Sequence, residues 1–305
     1  MDEAGVDPHG QPIGIQVPRS FLEMPRWWRE GSLWLEQLPD IVRSMCSRWR
    51  LSITGDPVHG SNALVIPVRR DGSRFVLRVT PPGTEVAEQA SALRFWDGRG
   101  TVRLIDVDED AGALLLERLE IAGSLLNVPA REAMVVLGAM MRRLAVTAPT
   151  DVPSTTTVVA DRMITLEADW RRLGRPFDER FLRRAIEAGS RLCECDSTLA
   201  VNGDLHSAQV LRGSREPWLT VDPVLMRGDI AFDLARVLWT RVDEMRDEED
   251  IVEHFDAAVA ASRTDRDRGR DWVRFRAVDY WLWGLDAGLT EDPRRCRRLV
   301  LAFAG

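Results

Sequence analysis

One stretch of the chain gathers residue types able to do chemistry. Between residues 199 and 223, two β-like runs, Leu199-Ala200-Val201 and Trp218-Leu219-Thr220-Val221, flank an Asn202-Gly203-Asp204 turn. That turn is followed by His206 and Gln209, and Asp222 ends the second run. Two carboxylates on adjacent β-turns can converge on one point. One can orient a hydroxyl while the other holds a divalent cation. Phosphoryl transfer needs that division of labour, because positioning and charge neutralisation supply most of its catalysis. The plain reading stays beside it: Gly-Asp is a common turn pair, and each acid can be a solvated turn or strand-end residue. A lone histidine near a turn more often makes a local hydrogen bond than it binds a substrate or metal.

Composition narrows the chemistry further. The chain has 305 residues, long enough for about two domains and a sizeable core. All 41 basic residues are Arg. Without lysine there is no Schiff-base catalysis and no intact Walker-type phosphate loop. The formal charge is -7 and no long basic stripe appears, so nucleic acid is not an expected partner. The four cysteines, Cys46, Cys193, Cys195 and Cys296, match neither paired CxxC nor a zinc motif, and reduced thiols are expected. No apolar run of membrane-spanning length and no signal peptide is seen, so the expectation is a cytoplasmic protein with no membrane partner.

The elements around the acidic island follow from periodicity. Residues 1–20 carry Pro8, Pro12 and Pro18 and read as a flexible arm. Trp27, Trp28, Trp34, Leu35, Leu38, Ile41, Val42 and Met45 recur at helical spacing, which predicts one or two helices over 21–49. Strands are expected at 51–54, 64–69, 75–79, 102–107 and 113–117, with a helix over 85–96. Asp71-Gly72 marks a hairpin turn. Residues 21–120 thus read as helices followed by a five-stranded antiparallel sheet with one main helix. Residues 121–305 read as a mostly helical lobe, with helices at 129–146, 160–173, 178–195, 230–246, 248–262, 271–288 and 293–302. Residues 149–157 read as a Pro/Thr-rich connector. The fold class is α+β and bilobal.

Asn202-Gly203-Asp204-Leu205-His206-Ser207-Ala208-Gln209 resembles the His-Gly-Asp-x-x-x-x-Asn loop of antibiotic phosphotransferases. Val221-Asp222-Pro223, then Gly228-Asp229-Ile230-Ala231-Phe232-Asp233-Leu234-Ala235, looks like the metal strand and following helix of one branch, the streptomycin 6-phosphotransferase and hydroxyurea phosphotransferase family. Trp34-Leu35, Arg48-Trp49, Ala63-Leu64-Val65, Trp96-Asp97-Gly98-Arg99-Gly100 and Leu114 to Leu119 extend the resemblance over roughly residues 17–303. It implies a protein-kinase-like bilobal fold with ATP in the cleft between lobes.

The resemblance also implies roles. Asp204 matches the catalytic aspartate at the acceptor hydroxyl. Gln209 and Asp222 match the residues that hold Mg²⁺. Arg78 stands where the family has the strand lysine at the phosphates. That lysine's glutamate partner falls at Glu88 or Gln89; register favours Gln89. The segment His59-Gly60-Ser61-Asn62-Ala63 can cover the phosphates through Ser61 and Asn62 or be a plain β-turn, and Glu117 and Leu119 complete the nucleotide side. Arg for Lys keeps the charge but replaces a compact ammonium with a planar fork. Gln for Asn moves the amide oxygen out by one methylene, and Asn202 for His removes a ring that helps fix the loop.

On the acceptor side the candidates are His206, Asp243, Glu244, Trp281 and Trp283. An acidic stretch from Asp243 to Glu253 can attract a cationic aminocyclitol, although such runs are usually solvated helix ends. Trp281 and Trp283 are as readily core as pocket wall. Asp229 and Asp233 read as caps or anchors of the following helix. The implied activity is transfer of the ATP γ-phosphoryl group to a hydroxyl of an antibiotic or related metabolite. The alternative is a degenerate kinase fold that binds a nucleotide or metabolite without transfer. The expected partners are a nucleotide and a small-molecule acceptor.

Overall fold

A computed structural model describes residues 15–24, 27, 33–194 and 197–304. The readings placed on Pro8, Pro12, Trp28 and Cys195 lie outside the described residues. The chain divides into two compact units, Met1–Gly98 with Val102–Leu119, and Arg99–Thr101 with Glu120–Gly305.

In the first unit, α1 (Arg19–Leu22) and α2 (Leu33–Trp49) precede the strands β1 (Ser52–Ile53), β2 (Val58–His59), β3 (Leu64–Arg70) and β4 (Ser73–Val79). Helix α3 (Thr84–Trp96) follows, then β5 (Leu104–Asp108) and β6 (Ala113–Glu117). The strands form one antiparallel sheet in the order β1-β3-β4-β6-β5, with β2 also on β3. It has six strands where five were expected. The extra strand, β2, is too short for period-2 alternation to show in the sequence.

The strand alternation sets which side chains share a face. Leu64, Ile66, Val68, Leu77, Val79, Ala113 and Leu115 join Leu38, Val42 and Met45 of α2 in one buried cluster. Arg78 lies between Leu77 and Val79 and is paired with Leu114 on β6, so it points to the opposite face.

The second unit holds β7 (Glu120–Ser124), α4 (Ala130–Leu144), α5 (Thr155–Arg172), α6 (Glu179–Leu192), β8 (Leu199–Val201), β9 (Val210–Arg212), β10 (Trp218–Thr220) and β11 (Met226–Gly228). Then come α7 (Leu234–Trp239), α8 (Glu248–Ser262), α9 (Arg266–Asp286) and α10 (Glu291–Ala302). The strands make two small sheets, β10-β9-β7 and β11-β8. The helices surround an apolar core that includes Leu137, Leu166, Leu182, Leu238, Phe255, Trp272 and Phe275. Among the described residues, no helix is long and apolar enough to cross a membrane.

Strands β7 and β11 lie where no strand was expected, and two helical segments also differ from the sequence reading. Helix α5 begins inside the expected Pro/Thr connector. Ser154 caps it by accepting from the Thr156 N–H, and Thr155 and Val159 are fully buried. Capping and burial outweigh the weak helix propensity of the β-branched run. The expected helix over 230–246 is divided into a 3₁₀ turn at Ile230–Asp233, the short α7, and a second 3₁₀ turn at Val242–Glu244. Buried Asp233 and Arg241 stand at the two junctions, and Arg241 donates to backbone carbonyls of another segment.

Candidate active site

Residues 202–209 are held from several sides. Strand β8 leads into the loop and pairs antiparallel with β11, Val201 opposite Met226. Asn202 is buried, and its Oδ1 accepts a hydrogen bond from the Val224 N–H at 3.0 Å. This amide ties the start of the loop to the segment leading into β11, without the ring that the family motif has there. Gly203 adopts φ +77°, and a Cβ on it would meet Met226 Sδ at 2.7 Å. Both the backbone conformation and the space call for glycine.

The buried Asp233 carboxyl lies near the Gly203 and Leu205 N–H groups, which favour its charged form, while its Oδ1 makes no hydrogen bond. Burial pushes this carboxyl up to about 7, against the opposing charge of Arg276. Arg241, also buried, donates to the Leu125 and Val128 carbonyls and to Ser207 Oγ at 3.5 Å.

At the centre, Asp204 Oδ1 accepts from Arg236 Nε at 2.6 Å, and Oδ2 accepts from Gln209 Nε2 at 3.2 Å. His206 Nε2 stands 3.8 Å from the same Oδ2. The His206 imidazole is pushed down to about 4, chiefly by burial and further by the Arg236 charge, with Asp204 opposing. It is neutral at physiological pH.

With Gln209 Nε2 on Asp204, Gln209 Oε1 is buried and has no hydrogen-bond partner in the protein. An oxygen left this way suits a hard divalent cation. The Val221 N–H donates to the Gln209 carbonyl at 2.9 Å, which places half-buried Asp222 on the neighbouring segment. Among the described residues, no three His, Cys, Asp or Glu side chains converge as a metal cluster. Gln209 and Asp222 instead fit a cation that takes further oxygens from a phosphate.

On the first unit, the turn between β2 and β3 is closed by Gly60 N–H to the Ala63 carbonyl at 3.0 Å. Asn62 on this turn accepts from Arg78 Nη2 at 3.4 Å, and its carbonyl accepts from Thr80 Oγ at 2.9 Å. Arg78 and Gln89 are buried, whereas Glu88 and Ser61 are exposed. Glu117 accepts from the Arg103 N–H at 3.1 Å, and Leu119 is buried.

The acceptor-side candidates fall in different places. Trp281 is buried, its ring 4.7 Å from that of Phe177. Trp283 is 52% exposed. It lines a cavity of about 250 Å³ between α5 and α9 together with Tyr280, Asp169, Asp279 and Asp286. Asp243 is paired with Arg294 and Arg295, and Glu244 with Arg241. Asp229 caps the 3₁₀ turn by accepting from the Ala231 N–H and also takes the Trp272 indole N–H.

Sequence reasoning did not find Arg236, nor the placement of buried Asp233 beside the loop. The spacing Asp233-x-x-Arg236 puts both on one helical face, but nothing in the sequence says which loop that face meets.

A mixed antiparallel sheet unit and a helical unit bearing this loop define a protein-kinase-like phosphotransferase. The fold matches that of a thermostable mutant of aminoglycoside phosphotransferase APH(4)-Ia, solved as a ternary complex with ADP and hygromycin B. The TM-score is 0.59 at 16% identity, covering 86% of this chain and 98% of that one. The family model for aminoglycoside/hydroxyurea antibiotic resistance kinases matches residues 48–288, and the chain belongs to that family. It is 34% identical to hydroxyurea phosphotransferase of Kitasatospora aureofaciens over 288 residues, 92% of this chain and 84% of that protein. It is 32% identical to streptomycin 6-kinase of Streptomyces glaucescens over 291 residues, 93% of each.

Proposed function

We propose that the protein transfers the γ-phosphoryl group of ATP to a hydroxyl of an antibiotic or related secondary metabolite, with a cationic aminocyclitol-type acceptor favoured. The observation that carries this reading is the Asp204 carboxylate, held by Arg236 and Gln209 on a fixed loop, beside a partnerless Gln209 oxygen. The relatives named for streptomycin and hydroxyurea phosphorylation support it, and so does the ADP found with APH(4)-Ia. With such relatives, the reading as a binder without transfer has no observation in its favour.

In this reading Asp204 accepts a hydrogen bond from the acceptor hydroxyl and takes its proton as the oxygen bonds to the γ-phosphorus. The bond from that phosphorus to the β–γ bridging oxygen breaks, and ADP leaves. Gln209 Oε1 and Asp222 would hold a magnesium ion, which neutralises phosphate charge when bound. Arg78 contributes positive charge to the nucleotide phosphates, steadied by Asn62. Gln89, Ser61, Glu117 and Leu119 complete the nucleotide side.

The cavity beside α9 carries the rings of Tyr280 and Trp283 and the carboxylates Asp169, Asp279 and Asp286. Arg162 and Arg172 pair with all three carboxylates, so the preference for a cationic acceptor rests on the relatives named for streptomycin. The cavity is linked to Asp204 through stacked groups. The Arg236 guanidinium lies 4.7 Å from the Trp239 ring, and Trp239 lies 4.4 Å from Tyr280.

Asp204→Ala tests the assignment. With streptomycin as acceptor, ADP release should fall to background while nucleotide affinity stays within about twofold of wild type. Turnover at the wild-type rate in this variant would overturn it.

A further inference from the structure

We propose that Arg236 is the positioning residue for Asp204, setting which carboxylate oxygen meets the acceptor. This rests on the reading of Asp204 as the residue that takes the acceptor's proton.

A carboxylate on a turn rotates freely unless something fixes it. Here Arg236 Nε donates to Oδ1 at 2.6 Å, the short distance of a charge-assisted hydrogen bond. The guanidinium is itself restrained. Its side chain is 23% exposed and stacks 4.7 Å from the Trp239 ring centre. With Oδ1 occupied, Oδ2 is the oxygen turned toward Gln209 and His206. That leaves Oδ2 as the atom aimed at an incoming hydroxyl, next to the amide whose Oε1 lacks a partner.

The segment that supplies Arg236 also lies against the loop's main chain. Asp233, one turn earlier, is buried near the Gly203 and Leu205 N–H groups. Residues three apart on a helix face the same way. One helical turn therefore sits beside the backbone that carries Asp204 and holds the rotamer of its side chain. A misplacement of about 1 Å at such a group costs on the order of a hundredfold in rate.

Arg236→Ala, Arg236→Lys and Asp204→Ala, all in the full chain, provide the test. Steady-state ADP release with ATP and streptomycin gives kcat and the nucleotide KM. Circular dichroism checks the fold. We expect Arg236→Ala to lower kcat about a hundredfold with the nucleotide KM within about twofold. Guanidinium chloride at non-denaturing concentration should restore part of that loss, because a free guanidinium can occupy the vacated place beside Oδ1. It should do nothing for Asp204→Ala. Arg236→Lys keeps the charge but not the fork, and should fall between wild type and Arg236→Ala.

Wild-type kcat in Arg236→Ala, with Asp204→Ala inactive, would overturn the role of Arg236 alone. So would a folded, slow Arg236→Ala that guanidinium does not rescue. If Arg236→Ala fails to fold, wild-type kcat in Arg236→Lys overturns the proposal and a lowered kcat with unchanged nucleotide KM supports it. An active Asp204→Ala would instead remove the underlying reading.

Discussion

Asn202 Oδ1 and the Val224 N–H meet at 3.0 Å across the loop that carries Asp204. The bond joins the last residue before the Gly-Asp turn to the approach to β11. It fastens the loop at a position where the family motif has histidine. Asn202→Ala removes the acceptor of this bond and leaves the N–H of exposed Val224 to water, a net loss of about 0.5–1.5 kcal/mol. Chemical denaturation should show that loss, and turnover should fall with the loosened loop.

Gly203 is expected to tolerate no side chain. Its φ of +77° strains any L-residue by about 1–2 kcal/mol. The added Cβ would also press on Met226 Sδ at 2.7 Å. Gly203→Ala should lower thermal stability and reduce kcat more than it raises nucleotide KM. A variant with wild-type melting temperature and kcat would contradict the loop geometry.

His206 makes stability depend on pH in a defined direction. Its value falls from 6.5 in the unfolded chain to about 4 in the fold. The unfolded state thus binds the proton first on acidification. The contribution is fully present above 6.5 and is lost as pH falls toward 4. The stability of wild type relative to His206→Gln should shrink over that window. Asp233 acts with the opposite sign. Its value rises from 3.8 to about 7, so its contribution is present below 3.8 and is lost as pH rises toward 7. Asp233→Asn should remove that second slope. Denaturation curves at several pH values separate the two.

Arg78 is buried on the sheet face opposite Leu77 and Val79. If it serves the nucleotide phosphates, Arg78→Ala should raise the nucleotide KM by about tenfold or more, equivalent to about 1.4 kcal/mol. The acceptor KM should move little. Arg78→Lys restores charge without the planar fork and should recover only part of the affinity.

Metal-nucleotide binding should appear as stabilisation. A ligand at a hundredfold excess over its Kd adds about 2.7 kcal/mol. ATP with Mg²⁺ should raise the melting temperature more than ATP alone, and Asp222→Ala should abolish that difference. Equal shifts with and without Mg²⁺ would argue against Gln209 and Asp222 as its ligands.

The sequence made the kinase-like fold and the Asp204 loop legible for one reason: their signals are local. The Gly-Asp turn, Gln209 and Asp222 lie within a single stretch, and the main strands of the first unit are short runs rich in aliphatic and β-branched residues around turn signals. Register favours Gln89 over Glu88 as the inward position, and the structure buries Gln89 and leaves Glu88 exposed. What was hidden depends on tertiary placement. Arg236 reaches Asp204 from a helix that begins well beyond the loop. Helix α5 takes in Thr155, Thr156 and Thr157 because Ser154 caps it and Thr155 is buried. No propensity scale carries that information.

The most direct test of the central claim is the mass of the acceptor. Wild-type protein incubated with ATP and Mg²⁺ should add one phosphoryl group to streptomycin or hydroxyurea, and Asp204→Ala should add none. Unchanged masses of both compounds with wild-type protein, or equal modification by Asp204→Ala, would contradict the account.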